Sequence, residues 1–193
     1  MRKFAIAAAA VAAVASAPAF AANSGPYIGV GVTHDNVSTG GDIEGVGFNG
    51  VGGTVFAGYD MALSETTFVG VEANFDLASA KIGDDVDSLK ADNIFGATVR
   101  LGANVSEGVA LYARGGYQRG RMSTTVDSVK TSESRDGLRF GAGIEAAVSE
   151  QVSVRAEYNR THFYPTAEDK ALAESDNVGI NNDQFSLAVV FGF

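Results

Sequence analysis

The chain has 193 residues, no cysteine and a formal net charge of −9. That length corresponds to one domain. The missing cysteine excludes a disulfide scaffold and a thiolate metal site, and the acidic balance argues against a nucleic-acid partner. A polytopic helical membrane protein is excluded as well, because it needs repeated apolar runs of about 20 residues and only the first segment offers one.

Residues 1–21 read as a secretory signal peptide. Arg2 and Lys3 give a basic start, Phe4 to Ala17 an Ala/Val-rich core, and Ala19-Phe20-Ala21 an A-x-A cleavage site after Pro18. Export argues against ATP- or NAD-dependent chemistry. Residues 22–193 are then the mature domain, and its 24 Gly, 12 Phe and 6 Tyr in the whole chain, against 3 Pro, point to a glycine-rich aromatic β protein.

Along this domain the apolar residues alternate with period 2. Segment one, about 26–35, sets Ile28, Val30 and Val32 against Gly29, Gly31 and Thr33. Segment two, about 51–62, sets Val55, Ala57, Tyr59 and Met61 against Thr54, Phe56, Gly58 and Asp60. Segment three, about 67–78, sets Val69, Val71, Ala73, Phe75 and Leu77 against Gly70, Glu72, Asn74 and Asp76. Segment four, about 92–104, sets Phe95, Ala97, Val99 and Leu101 against Gly96, Thr98, Arg100 and Gly102. Segment five, about 109–121, sets Leu111, Ala113, Gly115 and Tyr117 against Tyr112, Arg114, Gly116 and Gln118. Segment six, about 137–148, sets Phe140, Ala142, Ile144, Ala146 and Val148 against Arg139, Gly141, Gly143 and Glu145. Segment seven, about 151–162, sets Val152, Val154, Ala156 and Tyr158 against Ser153, Arg155, Glu157 and Asn159. In the last segment Phe185, Leu187, Val189, Phe191 and Phe193 alternate with Gln184, Ser186, Ala188, Val190 and Gly192.

Short connections fall near Leu63–Thr66, Val105–Gly108 and Ser149–Glu150, and long ones near 36–50, 79–91, 122–136 and 163–182. An even number of antiparallel strands with short turns at one end and long loops at the other predicts an all-β fold, an eight-stranded antiparallel up-and-down transmembrane β-barrel. Lipid allows nothing more open, because every backbone N–H and C=O must be paired there. The uncharged row of each strand faces lipid. Phe75, Phe95, Tyr117, Phe140, Tyr158 and Phe185 fall towards the long-loop end, and Tyr59, Phe191 and Phe193 towards the other, as two interfacial girdles. A periplasmic barrel with the apolar row turned inward is the soluble alternative.

The other row carries Asp60, Glu72, Asp76, Glu145 and Glu157 with Arg100, Arg114, Arg139 and Arg155. An eight-stranded interior is just wide enough for side chains to fill it, and an isolated buried charge is costly. These residues are expected to pair as a lumen charge network, with a gated ion path as the alternative and a catalytic carboxylate pair behind it.

The chain resembles the small outer-membrane β-barrel family of OmpX and the OmpA transmembrane domain, in its opacity-protein-like, porin-family branch. The resemblance rests on Tyr27-Ile28-Gly29-Val30-Gly31, Phe56-Ala57-Gly58-Tyr59, Gly70-Val71-Glu72, Phe140-Gly141-Ala142-Gly143-Ile144-Glu145, Arg155-Ala156-Glu157-Tyr158 and the final Phe193. It implies a monomer in the outer membrane of a Gram-negative bacterium, among outer-membrane lipid and lipopolysaccharide. It also implies that Phe193 is the assembly signal read by the barrel-assembly machinery. Arg119, Arg121, Arg135 and Arg160 lie near the long-loop rim as candidate contacts to lipid A phosphates through paired hydrogen bonds.

The remaining motifs carry little. Small barrels resembling lipid A deacylases place a Ser two residues after a His, whereas His34 is followed by Asp35-Asn36 and His162 by Phe163-Tyr164. Gly45 to Gly50 spells G-x-G-x-x-G without the βαβ context that binds dinucleotides. Asp84, Asp85 and Asp87 lack calcium-loop spacing and read as a solvated loop. Thr166 to Asp169 resembles a capping box before a short helix. No catalytic residue, cofactor or metal is expected. The function read from the sequence is a non-enzymatic integral outer-membrane barrel with a structural, envelope or surface-interaction role. A narrow porin-like channel for small solutes is the alternative, and a lipid-modifying enzyme comes third.

Overall fold

The computed structural model describes residues 24–39, 47–77, 81–83, 88–126, 129–165 and 180–193. The signal segment, the acidic cluster at 84–87 and the capping box lie outside the described residues.

The strands are β1 (Gly25–Thr39), β2 (Gly47–Ala62), β3 (Thr67–Leu77), β4 (Lys81–Gly83), β5 (Ser88–Ser106), β6 (Val109–Val126), β7 (Val129–Ala147), β8 (Val152–Phe163) and β9 (Ile180–Gly192). Sequence neighbours pair antiparallel except β3 and β4, β1 pairs with β9, and β3 pairs with β5 to close the ring. The short β4 adds only to the start of β5. Eight strands therefore form the barrel wall.

Its geometry follows from register. The lipid-facing row starting at Thr67 runs through Ala103, Leu111, Ile144, Ala156, Leu187, Val32 and Gly53 to Leu77. It returns ten residues further along the strand it left. The shift has to be even, since an odd one would turn a lipid-facing row into a lumen row. A shear of this size tilts eight strands by about 35–45°.

The two rows of each strand lie on the faces their alternation predicts, except at the short-turn end of β7, where Ala146 is buried like Glu145 and Ala147 on either side. Burial in β3 alternates strictly from Gly70 to Leu77, and Val30, Val71, Val99, Leu101 and Leu187 are among the large apolar side chains exposed on the outside. All nine girdle aromatics are exposed. Phe75 stands opposite Phe95, and Tyr158 opposite Phe185 with ring centroids 4.9 Å apart.

The short turns are fixed by serines. Ser64 Oγ accepts the Thr67 N–H at 3.1 Å, and Ser149 Oγ accepts the Val152 N–H at 3.1 Å. The third turn uses Gly108, whose φ of 76° disfavours any residue with a Cβ.

The long connections differ from the sequence expectation. Much of 36–50 and 122–136 is strand: β1 stays paired with β2 to Ser38–Gly47, and β6 with β7 to Val126–Val129. The physical reason is solvent. Above the membrane both faces of a hairpin meet water, so backbone pairing continues without the apolar alternation that marks a lipid-crossing strand. Gly47 to Gly50, from the G-x-G-x-x-G stretch, are paired residues of β2.

Candidate functional site

The lumen is built on alternation between large and small residues. One inward ring reads Phe68, Gly102, Tyr112, Gly143, Glu157, Ser186, Thr33 and Gly52. A Cβ on Gly102 would collide with the Phe68 ring, and one on Gly143 with the Tyr112 hydroxyl. The glycines let long side chains from neighbouring strands lie across the bore.

All nine sequence-predicted lumen residues are buried. Seven form one network. Arg155 Nε and Nη2 donate to Glu145 Oε2 at 3.0 and 2.9 Å, and its Nη1 donates to Glu72 Oε2 at 2.5 Å. Arg100 Nη2 donates to Glu145 Oε2 at 3.1 Å and pairs with Asp60 Oδ2 at 3.1 Å. Arg114 Nη1 grips both oxygens of Glu157, at 2.9 and 2.7 Å, while its Nη2 lies 2.8 Å from Glu72 Oε1. Asp76 and Arg139 stand apart as a second pair at 2.9 Å, with Thr54 donating to Asp76 at 2.7 Å and Arg139 Nε donating to Thr161 at 2.9 Å.

Aromatic rings complete the network. The Arg100 guanidinium lies 4.3 Å from the Tyr112 centroid and 5.0 Å from Phe68, and that of Arg155 lies 4.5 Å from Phe56. Desolvated cations are attracted to ring faces, so each arginine is held by carboxylates at its edge and rings at its faces. The Tyr27 hydroxyl donates to Glu72 at 3.0 Å, and that of Tyr112 donates to Glu157. The rings' role was not read from the sequence, although parity alone placed Phe56 and Tyr112 inward. Parity also identifies Asp35, buried towards the loop end, which accepts from Asn182 at 2.9 Å and from Gln184 at 3.0 Å.

At the loop rim the four candidate arginines separate. Arg119, Arg121 and Arg160 are exposed, in phase with the lipid-facing Tyr117 and Tyr158. Arg135 belongs to the inward row, opposite the buried Gly120 and in phase with Arg139. Two residues of the same parity on one strand share a face. His34 and His162 are both exposed, and His162 Nδ1 lies 2.9 Å from Asn181 Oδ1. Phe193 is exposed at the short-turn end, where its N–H donates to the Pro26 carbonyl at 3.1 Å.

Known proteins share this architecture. The model of the outer membrane protein beta-barrel domain matches residues 7–193. The chain is 30% identical over 143 residues to a 22 kDa outer membrane protein of Rhizobium leguminosarum bv. viciae. That alignment covers 72% of this chain and 64% of the relative, so the chain spans just under two thirds of the relative's length. Neisserial surface protein A superposes with a TM-score of 0.63 at 17% identity, covering 88% of this chain and 98% of that one. Ail, the attachment invasion locus protein of Yersinia pestis, in complex with the heparin analogue sucrose octasulfate, superposes with a TM-score of 0.61 at 17% identity, covering 88% and 99%. The lipid-facing belt, the closed register and the family match lead to one conclusion: the chain belongs to the outer-membrane β-barrel domain family and resides in the outer membrane of a Gram-negative bacterium.

Proposed function

We propose that this barrel is a closed, non-enzymatic surface-interaction protein that works through a sheet wall raised above the membrane. The observation that carries the reading is a difference in strand length. Strands β5, β6 and β7 have 19, 18 and 19 residues, against 11, 12 and 13 in β3, β8 and β9. About 9–11 tilted residues cross the hydrocarbon. The excess of about eight residues in each long strand gives roughly 26 Å of paired sheet beyond it.

Among the described residues the wall also has an open side. β8 pairs with β7 from Phe163–Gly137 downward, and the Tyr164 N–H still reaches the Asp136 carbonyl at 2.8 Å. Pro165 follows, and without an N–H it cannot continue the ladder. Among the described strands none covers residues 129–134 of β7 on that side. Unpaired edge groups are a template for an extended segment of another chain. The attachment role in the name of Ail is in keeping with this reading, as is the packed lumen.

Ser132 tests the edge. It is in phase with Asp136, so its N–H points to the open side. Ser132→Pro removes that donor while leaving the pairing with β6. Cells displaying wild-type protein are expected to capture extended peptides from an array, and the variant to lose them. Capture that is equal for both, or absent for both, excludes edge pairing. Planar-bilayer recording of the refolded protein should show little or no steady conductance. A large, steady conductance would favour the narrow-channel reading instead.

We also propose that Phe193 is read during assembly. Deleting it should slow insertion in cells far more than it lowers the urea midpoint of protein already folded. An unchanged insertion rate leaves Phe193 as a girdle residue only.

A further inference from the structure

The turns at the short-turn end repeat one dipeptide. Ser64-Glu65 stands between β2 and β3, Ser106-Glu107 between β5 and β6, and Ser149-Glu150 between β7 and β8. The serines have a structural use, since Ser64 and Ser149 accept the N–H groups that close their turns. The glutamates have none. Glu65, Glu107 and Glu150 are exposed, and among the described residues no hydrogen bond or ion pair engages their side chains. None of the three turns contains a lysine or an arginine. Short turns face the periplasm, so three adjoining hairpins set an acidic crown around the periplasmic mouth.

Inside that mouth lies a cavity of about 150 Å³ whose walls divide by chemistry. Pro26, Ala147, Val152 and Val190 supply apolar surface, and Asp60 and Glu145 supply carboxylates. Among the described residues that line it none is basic. Asp60 is 2% exposed, yet its Oδ1 has no hydrogen-bond partner. Its Oδ2 pairs with Arg100 Nη2, a nitrogen that also serves Glu145 Oε2. The surrounding cluster has the same shortage: Asp60, Glu72, Glu145 and Glu157 face Arg100, Arg114 and Arg155, which leaves one carboxylate unmatched. A buried carboxylate without a cation is costly, and the one that shares its only cation borders the cavity.

These walls suit an apolar stem with a compact cation at its tip. A bare metal ion would leave the apolar side without a partner, and among the described residues no three acidic or histidine side chains converge to hold one. A guanidinium is a broad plane, whereas an ammonium is compact and donates through three rotatable hydrogens. Lysine lays its methylenes along apolar surface while its ammonium stays among polar groups. A glutamate at each of three turns rewards several positive charges at once, which a polypeptide carries and a single amine does not.

We propose that the periplasmic mouth is a docking site for a lysine-bearing segment of a periplasmic polypeptide. Asp60 receives the ammonium of one lysine, and Glu65, Glu107 and Glu150 steer the segment in. The mouth is at the opposite end of the barrel from the β7 edge, so failure of either proposal leaves the other standing.

The test uses the refolded full barrel in phosphatidylcholine nanodiscs and an N-acetylated trilysine amide carrying a fluorophore, followed by stopped-flow anisotropy. Asp60→Asn should weaken binding about tenfold, the loss of one charge-assisted hydrogen bond, mainly through faster dissociation. Glu65→Gln/Glu107→Gln/Glu150→Gln should slow association and flatten its salt dependence while dissociation stays unchanged, as is usual for rim charges. The ε-acetylated peptide, which keeps the stem and loses the charge, should not bind. Heat-modifiable gel mobility shows that each variant has folded; if Asp60→Asn does not fold, the acetylated peptide and the crown variant decide. Equal binding by wild type and Asp60→Asn overturns the site. So does absence of binding to wild type, which leaves a proton to balance Asp60. Equal binding of the acetylated peptide overturns the ammonium as the recognised group. Displacement by millimolar magnesium at constant ionic strength, or spermidine binding as tightly as the peptide, overturns the polypeptide as ligand. Unchanged association by the crown variant overturns the steering role.

Discussion

Arg155→Ala should lower the stability of the folded barrel by about 3–5 kcal/mol, the usual loss when one partner of a buried ion pair is removed. Arg155 is 1% exposed and joins three strands, linking β8 to Glu145 on β7 and to Glu72 on β3. Its removal strands those carboxylates where water cannot replace the guanidinium. Glu72 keeps Tyr27 and Arg114, and Glu145 keeps Arg100 and Ser153. In the seven-residue cluster, however, four carboxylates then face only two arginines. The surface comparison is Arg160→Ala, whose partly solvated pair with Asp183 is worth about 0–1 kcal/mol. Equilibrium urea unfolding from lipid vesicles measures both. Replacing Arg155 by Met together with Glu145 by Leu should recover part of the loss, because apolar substitutes for a whole buried pair are often tolerated. Equal losses for the two alanine variants would show that Arg155 does not hold the network together.

The second large effect lies one residue from an arginine that the barrel already accepts. Val99→Arg should cost about 2–4 kcal/mol of stability in the bilayer, the penalty for a cation on the lipid face near the midplane. Val99 is 54% exposed on the outside, between Val71 and Gly115 in register. Arg100, its neighbour in sequence, is 1% exposed and ion-paired inside the lumen. The cost arises from the pleat, which turns successive side chains to opposite faces. Unfolding of Val99→Arg and of Val99→Leu in the same vesicles gives the comparison. If the two were equally stable, position 99 would not face hydrocarbon.

That parity is what the sequence determines by itself. The faces of Phe75 and Asp76, or of Phe140 and Arg139, need no knowledge of the rest of the molecule, because a strand alternates locally. The number of crossings, the serine and glycine turns, the girdles and the inward position of all nine lumen charges follow from it. Alternation is silent where both faces meet water, so the upper parts of β6 and β7 read as loop, and Arg135 could not be separated from Arg119 until the strand was known to continue to it. Pairing partners are a different kind of information. Arg155 and Glu72 are 83 residues apart, and Arg139 and Asp76 are 63 apart. Which carboxylate meets which arginine depends on the ten-residue shear, an integer set only when β3 and β5 close the ring. Only the closed sheet decides it, because every strand adds its own register to the sum that brings Thr67 round to Leu77.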